Sequence, residues 1–169
     1  MAYSAKAIAN YFLDAATEKD APLDPMKIQK LVYFAHGWCL ALKNAPLINE
    51  RIEAWRYGPV IRSLYNTFRD AGSGPITHPA YDARMIDHRL TIYAPSIEDP
   101  EEGPAEREFY RELLNEIWKV YGDFTAVELS NLTHQPGTPW DKTWDAHQAT
   151  APISDDLIKE YFKAQIAKA

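Results

Sequence analysis

The chain has 169 residues, 46% of them hydrophobic and 12% aromatic, with a formal net charge of -6. That composition belongs to a folded globular chain and excludes a disordered one, and the length suits one core, so a single domain over 1–169 is expected. The acidic balance lacks the Lys/Arg surplus that neutralises phosphates, so no nucleic-acid partner is expected. Cys39 is alone, which excludes an intramolecular disulfide and a Cys-based zinc quartet. With no secretory leader and no apolar run of about 18 residues, the expected localisation is the cytoplasm, without membrane association.

In chain order, Ser4 is placed to cap a helix running to about Glu18, because Ile8, Tyr11, Phe12 and Ala15 recur on one helical face. Asp24 and Pro25 then form an N-cap and first-turn pair. The helix that follows, "MKIQKLVYFAHGWCLALKN", carries Ile28, Leu31, Val32, Ala35, Cys39 and Leu42 as its apolar stripe and gives Lys27, Lys30 and Lys43 to solvent. From Leu47 to Tyr57 the pattern alternates and predicts a short strand. Gly58 reads as a turn and Pro59 as the opening of a third helix bearing Val60, Ile61, Leu64, Tyr65 and Phe68, ending near Gly72.

Residues 73–104 form a Pro-rich excursion in which only Arg89–Ala94 reads as a strand. A fourth helix is predicted over Ala105–Tyr121, with Phe109, Leu113, Leu114, Ile117 and Val120 facing inward, and "TAVELSNLTH" makes a fifth. Pro136, Gly137 and Pro139 leave Trp140 and Trp144 in a nonregular stretch, before Ser154 caps a last helix with Leu157, Ile158, Tyr161, Phe162 and Ile166. The expected fold class is mainly α with a small β-sheet (α+β): a compact bundle of about five to six helices with a two- or three-stranded minor sheet.

Chemistry-bearing patterns are sparse. "AGSGP" has neither the lysine nor the preceding strand of a phosphate-binding loop. His36 and Cys39 stand at i and i+3, but the other histidines (78, 88, 134 and 147) are scattered, so both read as core packing, with no metal and no cofactor. Cys39, between Trp38 and Leu40 on an apolar helix, reads as an inert thiol. Glu128, His134, Asp141 and Asp145 are candidates for acid–base work, which leaves a small hydrolase-like enzyme using His134 with Glu128 or Asp145 as the alternative. Caps and surface ion pairs account for the same residues more simply. Trp140 and Trp144 read as a lid over the core rather than a contact platform. In "AWRYGPV", Trp55, Arg56 and Tyr57 divide evenly between core packing and use at a protein interface.

"MKIQKLVYFAHGWCLAL" followed by "PLINERIEAWRYGPVIRSLYNTF" resembles the Panacea domain, the antitoxin domain of SocA-like and phage-associated GepA-like proteins. Lys27 to Leu31, Glu53 to Val60 and Tyr65 carry the resemblance, and "AVELSNLTHQPGTPW" extends it from Glu128 to Trp140. The excursion from Gly72 to Gly103 shows no such signature. The resemblance implies a non-enzymatic antitoxin that binds a cognate protein toxin directly. Where a member acts as a proteolytic adaptor, it also implies a ClpXP-type protease as partner. Lys27, Gln29, Lys30, Tyr33, Trp55, Arg56, Tyr57, Gly58, Pro59 and Trp140 are the residues it marks as partner-binding or scaffold positions.

Overall fold

A computed structural model describes residues 2–100 and 105–169. The last residues of the 73–104 excursion, 101–104, lie outside the described residues. Ser4 caps α1 (Ala5–Glu18) by accepting from Ala7 N, and Asp24 caps α2 (Pro25–Lys43) by accepting from Lys27 N, with Pro25 in its first turn. α2 is the hub of the molecule. From Ile28 to Gly37 it is buried without a break, and a helix covered all round belongs at the centre of a core.

Two helices close on the far half of α2. On α7 (Asp155–Lys168) the ring of Phe162 lies where a Cβ on Gly37 would stand, 2.2 Å away, so only glycine permits this approach. On α4 (Arg107–Tyr121) the Tyr121 ring stacks on Phe34 at 4.4 Å, and its hydroxyl accepts from Trp38 Nε1 at 2.9 Å. His36, fully buried, accepts at Nδ1 from Ile48 N at 3.4 Å, so Nε2 carries the proton it donates to Asp155 Oδ1 at 2.9 Å. Cys39 is buried and its thiol is pushed up to about 12 by desolvation, which matches an inert thiol.

The other half of α2 faces a three-stranded antiparallel sheet of order β2-β1-β5, from β1 (Ile52–Trp55), β2 (Gly58–Ile61) and β5 (Ala151–Ile153). β2 leads directly into α3 (Arg62–Phe68), and the short helices α5 (Ala126–Thr133) and α6 (Pro139–Thr143) close over the β1–β2 end. A separate hairpin is formed by β3 (Asp82–Ile86) and β4 (Arg89–Tyr93). This is the α+β class read from the sequence. Among the described residues there are seven α-helices rather than six, the addition being α6, where Thr138 caps a turn through Pro139 and Trp140.

Several local readings are overturned. Gly58–Pro59 opens no helix. It lies in β2, and α3 begins at Arg62. Lys30, assigned to solvent, is 1% exposed, whereas Leu42 and Val120, assigned to the core, are 57% and 56% exposed. Tyr65 and Ile166 are also exposed. The strand expected over Leu47–Tyr57 is confined to Ile52–Trp55, the fourth helix starts at Arg107, and β3 and β5 had no counterpart in the reading.

The placement of Pro59 has a physical cause. β2 is an edge strand, and its outward backbone groups at Pro59 and Ile61 face α2 instead of water. Pro59 has no N–H to leave unpaired, which makes an edge its proper place. Its carbonyl accepts from Lys30 Nζ at 3.1 Å, while Ile61 donates its N–H to Gln29 Oε1 at 2.9 Å and accepts at its carbonyl from Gln29 Nε2 at 3.0 Å. The Gln29 amide thus copies the two-bond exchange of a neighbouring strand. Replacing it by leucine, Gln29→Leu, keeps the bulk but leaves two buried backbone groups unpaired, and is expected to cost about 2–4 kcal/mol in urea unfolding. A loss below about 0.5 kcal/mol would contradict the edge-sealing role.

Candidate functional site

The β1–β2 hairpin is the point on which the marked residues converge. Trp55 pairs with Gly58, leaving Arg56 and Tyr57 as a two-residue loop. Neither loop residue takes positive φ, so the reversal falls on Gly58 at φ 111°. A Cβ on Gly58 would stand 2.8 Å from Thr133 Oγ1 and 2.9 Å from both Lys30 Cε and Nζ. Backbone conformation and space therefore both demand glycine there.

A different side chain approaches each of three successive carbonyls at the hairpin tip. Trp55 O accepts from Trp140 Nε1 at 2.6 Å, Arg56 O lies 3.3 Å from His134 Nε2, and Tyr57 O accepts from Ser130 Oγ at 3.0 Å. α5, its C-cap residue His134 and α6 supply all three. His134 is itself placed by Nδ1, 2.6 Å from Ser130 O, and by its ring, whose centroid is 3.9 Å from that of Trp140. Trp140 is buried and stacks on Trp144 at 5.7 Å and 11°, so the tryptophan pair packs as a cover whose indole N–H reaches the hairpin.

With its backbone tied inward, the loop turns its side chains outward. Tyr57 is 66% exposed, and the Arg56 guanidinium lies over its ring at 5.5 Å. Beside them, Glu53 on β1 accepts from Trp55 Nε1 at 2.8 Å and from Arg62 Nη2 at 2.8 Å, with Arg62 Nε 3.3 Å from its other oxygen. Arg62 also covers the Trp55 ring at 5.4 Å, and the Tyr65 ring lies 4.7 Å from it. Trp55, Arg56, Tyr57, Arg62 and Tyr65 thus form one surface of aromatic and guanidinium groups, fixed in orientation by a buried carboxylate and by stacking.

The marked residues separate into two groups. Gln29, Lys30, Gly58, Pro59 and Trp140 point into the junction between α2, β2 and α6, and Tyr33, also buried, packs on Phe34 and Phe162. Lys27 is half-buried, donates to Gly122 O at 2.6 Å and lies 5.9 Å from the Trp118 ring, away from the hairpin. Only Trp55, Arg56 and Tyr57 belong to the outward surface. Arg62 and Ser130 escaped the reading of single residues, although Ser130 lies within the quoted "ELSNLTH" run.

The acid–base constellation is not assembled by hydrogen bonds. Glu128 Oε2 accepts from Thr125 N at 2.7 Å in a capping box, and that bond holds its carboxyl below the usual range. Asp145 accepts from His147 N at 2.8 Å, and Asp141 from Gly137 N at 2.8 Å. The ring nitrogens of His134 face backbone carbonyls and the Thr133 hydroxyl, with no carboxylate among these contacts. No helix among the described residues is long and apolar enough to cross a membrane.

Fold and site together define a helical scaffold that seals the edge of a small sheet and holds one hairpin tip for display. The chain belongs to the antitoxin SocA-like, Panacea domain family, which it matches over residues 28–141. It is 31% identical over 165 residues to Antitoxin SocA of Caulobacter vibrioides (strain NA1000 / CB15N), an alignment that covers 95% of this chain and 83% of that protein. No solved structure matches the chain.

Lys30 is the electrostatic oddity beneath the hairpin: its amine is wholly buried beside Gly58, Pro59 O and the Thr133 hydroxyl, and no ion pair includes it among the described residues. Desolvation lowers its pKa to about 7, against about 10.4 for an unfolded lysine. Between those values the unfolded chain binds the extra proton, so stability from this group rises with pH above about 7. The raised thiol of Cys39 acts in the opposite sense above its unfolded value of about 8.5, which sets the upper limit of a clean window. Between pH 7 and 8.5 the unfolding free energy of the wild type is expected to gain on the order of 1–2 kcal/mol relative to Lys30→Met. A wild-type-minus-variant difference that stays flat across this window would show that Lys30 keeps an ordinary pKa.

Proposed function

We propose that this protein is an antitoxin that neutralises a cognate protein toxin by direct docking, with Trp55, Arg56, Tyr57, Arg62 and Tyr65 as the docking surface. One observation carries the reading. Two carbonyls of the hairpin tip, those of Trp55 and Tyr57, are held from inside by Trp140 and Ser130, while the side chains of Arg56 and Tyr57 are left in solvent. Ordering a loop on binding costs affinity, and a loop already ordered avoids that cost. Tyr, Trp and Arg are also the residues in which binding energy concentrates at protein interfaces. Similarity to a protein named Antitoxin SocA supplies the class of partner. Docking of this kind needs no cofactor. A ClpXP-type protease, where one takes part, would receive the toxin from the docked complex.

Co-expression with the toxin encoded beside this protein tests the reading. Arg56→Ala with Tyr57→Ala is expected to weaken toxin binding by about 30-fold or more, the effect of losing about 2 kcal/mol at a hot spot, and to abolish growth rescue. Both side chains are exposed, so the urea midpoint should stay within about 0.5 kcal/mol of wild type. A double variant that binds and rescues as well as wild type would overturn this surface as the docking site.

A further inference from the structure

The β3–β4 hairpin is built the wrong way round for a surface element. Its register pairs Ala83 with Ile92 and Met85 with Leu90, so these four share one face, and on that face Met85, Leu90 and Ile92 are 64%, 70% and 70% exposed. The opposite face is half-buried at Asp82, Arg84, Thr91 and Tyr93 and exposed at Ile86 and Arg89 beside the turn. There Arg84 covers the Tyr93 ring at 4.4 Å and pairs with Asp99 at 3.7 Å. Away from the turn, apolar residues thus look outward and polar ones inward. The hairpin is also firmly seated. Buried Asn10 on α1 donates to Ala80 O and Pro95 O at 3.0 and 2.9 Å and accepts from Ala80 N at 2.7 Å, tying both ends of the hairpin to one side chain.

The turn fixes which backbone groups are unused. Asp87 and His88 both take positive φ, 48° and 63°, which defines a two-residue reversal closed by the hydrogen-bonded pair Ile86 and Arg89. Hydrogen-bonded and non-hydrogen-bonded pairs then alternate, so the N–H and C=O groups of Ala83 and Met85 point away from β4, and those of Leu90 and Ile92 point away from β3. On the β3 side Ala83 N–H is already taken by Asp82 Oδ1 at 3.0 Å, and Lys6 on α1 flanks the strand through Tyr81 O at 2.9 Å and Asp82 at 3.7 Å. Among the described residues Leu90 and Ile92 have no such partner, and β4 is the open edge.

We infer that β4 pairs antiparallel with β4 of a second copy of this chain about a two-fold axis at Thr91. The strand is its own complement in that register: Leu90 meets Ile92 of the other copy, and Thr91 meets Thr91. The alternation agrees, because Leu90 and Ile92 are the residues with outward backbone groups and they become each other's hydrogen-bonded partners. Charge agrees as well. The one charged residue of β4, Arg89, falls opposite Tyr93 of the other copy, on the face where a guanidinium already stacks on that ring, and no like charges oppose. The result is a four-stranded sheet in which Met85, Leu90, Ile92 and Ala83 form two unbroken apolar rows, giving Leu90 and Ile92 a neighbour on their open side.

The test uses the full chain. Light scattering of the wild type should rise with concentration to twice the 19.3 kDa chain mass, and Leu90→Lys with Ile92→Lys should stay monomeric with an unchanged circular dichroism spectrum. Thr91→Cys, at a non-hydrogen-bonded two-fold pair with Cα atoms roughly 4.5 Å apart, should give a disulfide-linked dimer on mild oxidation. Asp87→Cys serves as control, since in this register its two copies lie roughly 26 Å apart and should not cross-link. The native Cys39 is buried and contributes no background. A wild type that remains monomeric at every concentration would overturn the proposal, as would a dimer that survives the double lysine variant or cross-links equally through position 87. A monomeric wild type whose toxin binding is lost on Leu90→Lys would assign the edge to a strand of the toxin instead.

Discussion

A buried strand edge must find partners for its backbone, and in this protein helix side chains provide them. Sheet edges are ordinarily sealed by another strand or left to water. Here α2 lies too close for either, and two adjacent side chains do the work: the Gln29 amide exchanges a donor and an acceptor with Ile61, and Lys30 donates to Pro59 O. Residue types are narrowly constrained as a result. Only an amide at position 29 supplies both donor and acceptor in one plane, and at position 59 proline removes a donor that α2 has no group to receive.

From that seal the rest of the site is built outward. Because β2 is fixed on α2, the hairpin reversal lies under α5 and α6, where Ser130, His134 and Trp140 reach the three carbonyls of the tip. The arrangement carries a cost. A lysine amine is enclosed with a single carbonyl and a hydroxyl for company, and burial disfavours its charged form. A stretch of backbone without regular partners is thereby held still while Arg56 and Tyr57 remain in water, which is what a recognition surface requires of its scaffold.

Much of this was legible in the sequence, and the failures share a cause. Five of the helices are announced by periodicity, three of them also by Ser4, Asp24 and Ser154 at their starts, and the runs around "KIQK", "EAWRYGPV" and "ELSNLTH" carried the family resemblance. Lys30 was misplaced because a helix buried on every side still shows an apparent polar face when its buried polar residues are few. Pro59 was misplaced because Gly-Pro suits a helix start and an edge strand equally well. What decides between them is the neighbour across the edge, a tertiary fact. β5 has three residues with Pro152 at its centre, too short to leave a periodic trace, and its pairing with Ile52 to Ala54 depends on contacts about a hundred residues away.

Hydrogen exchange at the Ile61 amide tests the central constraint most directly, since its only acceptor is a side-chain oxygen. If Gln29 seals the edge as a strand would, this amide exchanges only through global unfolding, with the same protection free energy as the buried amides of β1. Exchange of Ile61 at the rate of the exposed loop amides, with Ile52 and Ala54 still fully protected, would show that the edge opens freely and that the hairpin rests on something other than α2.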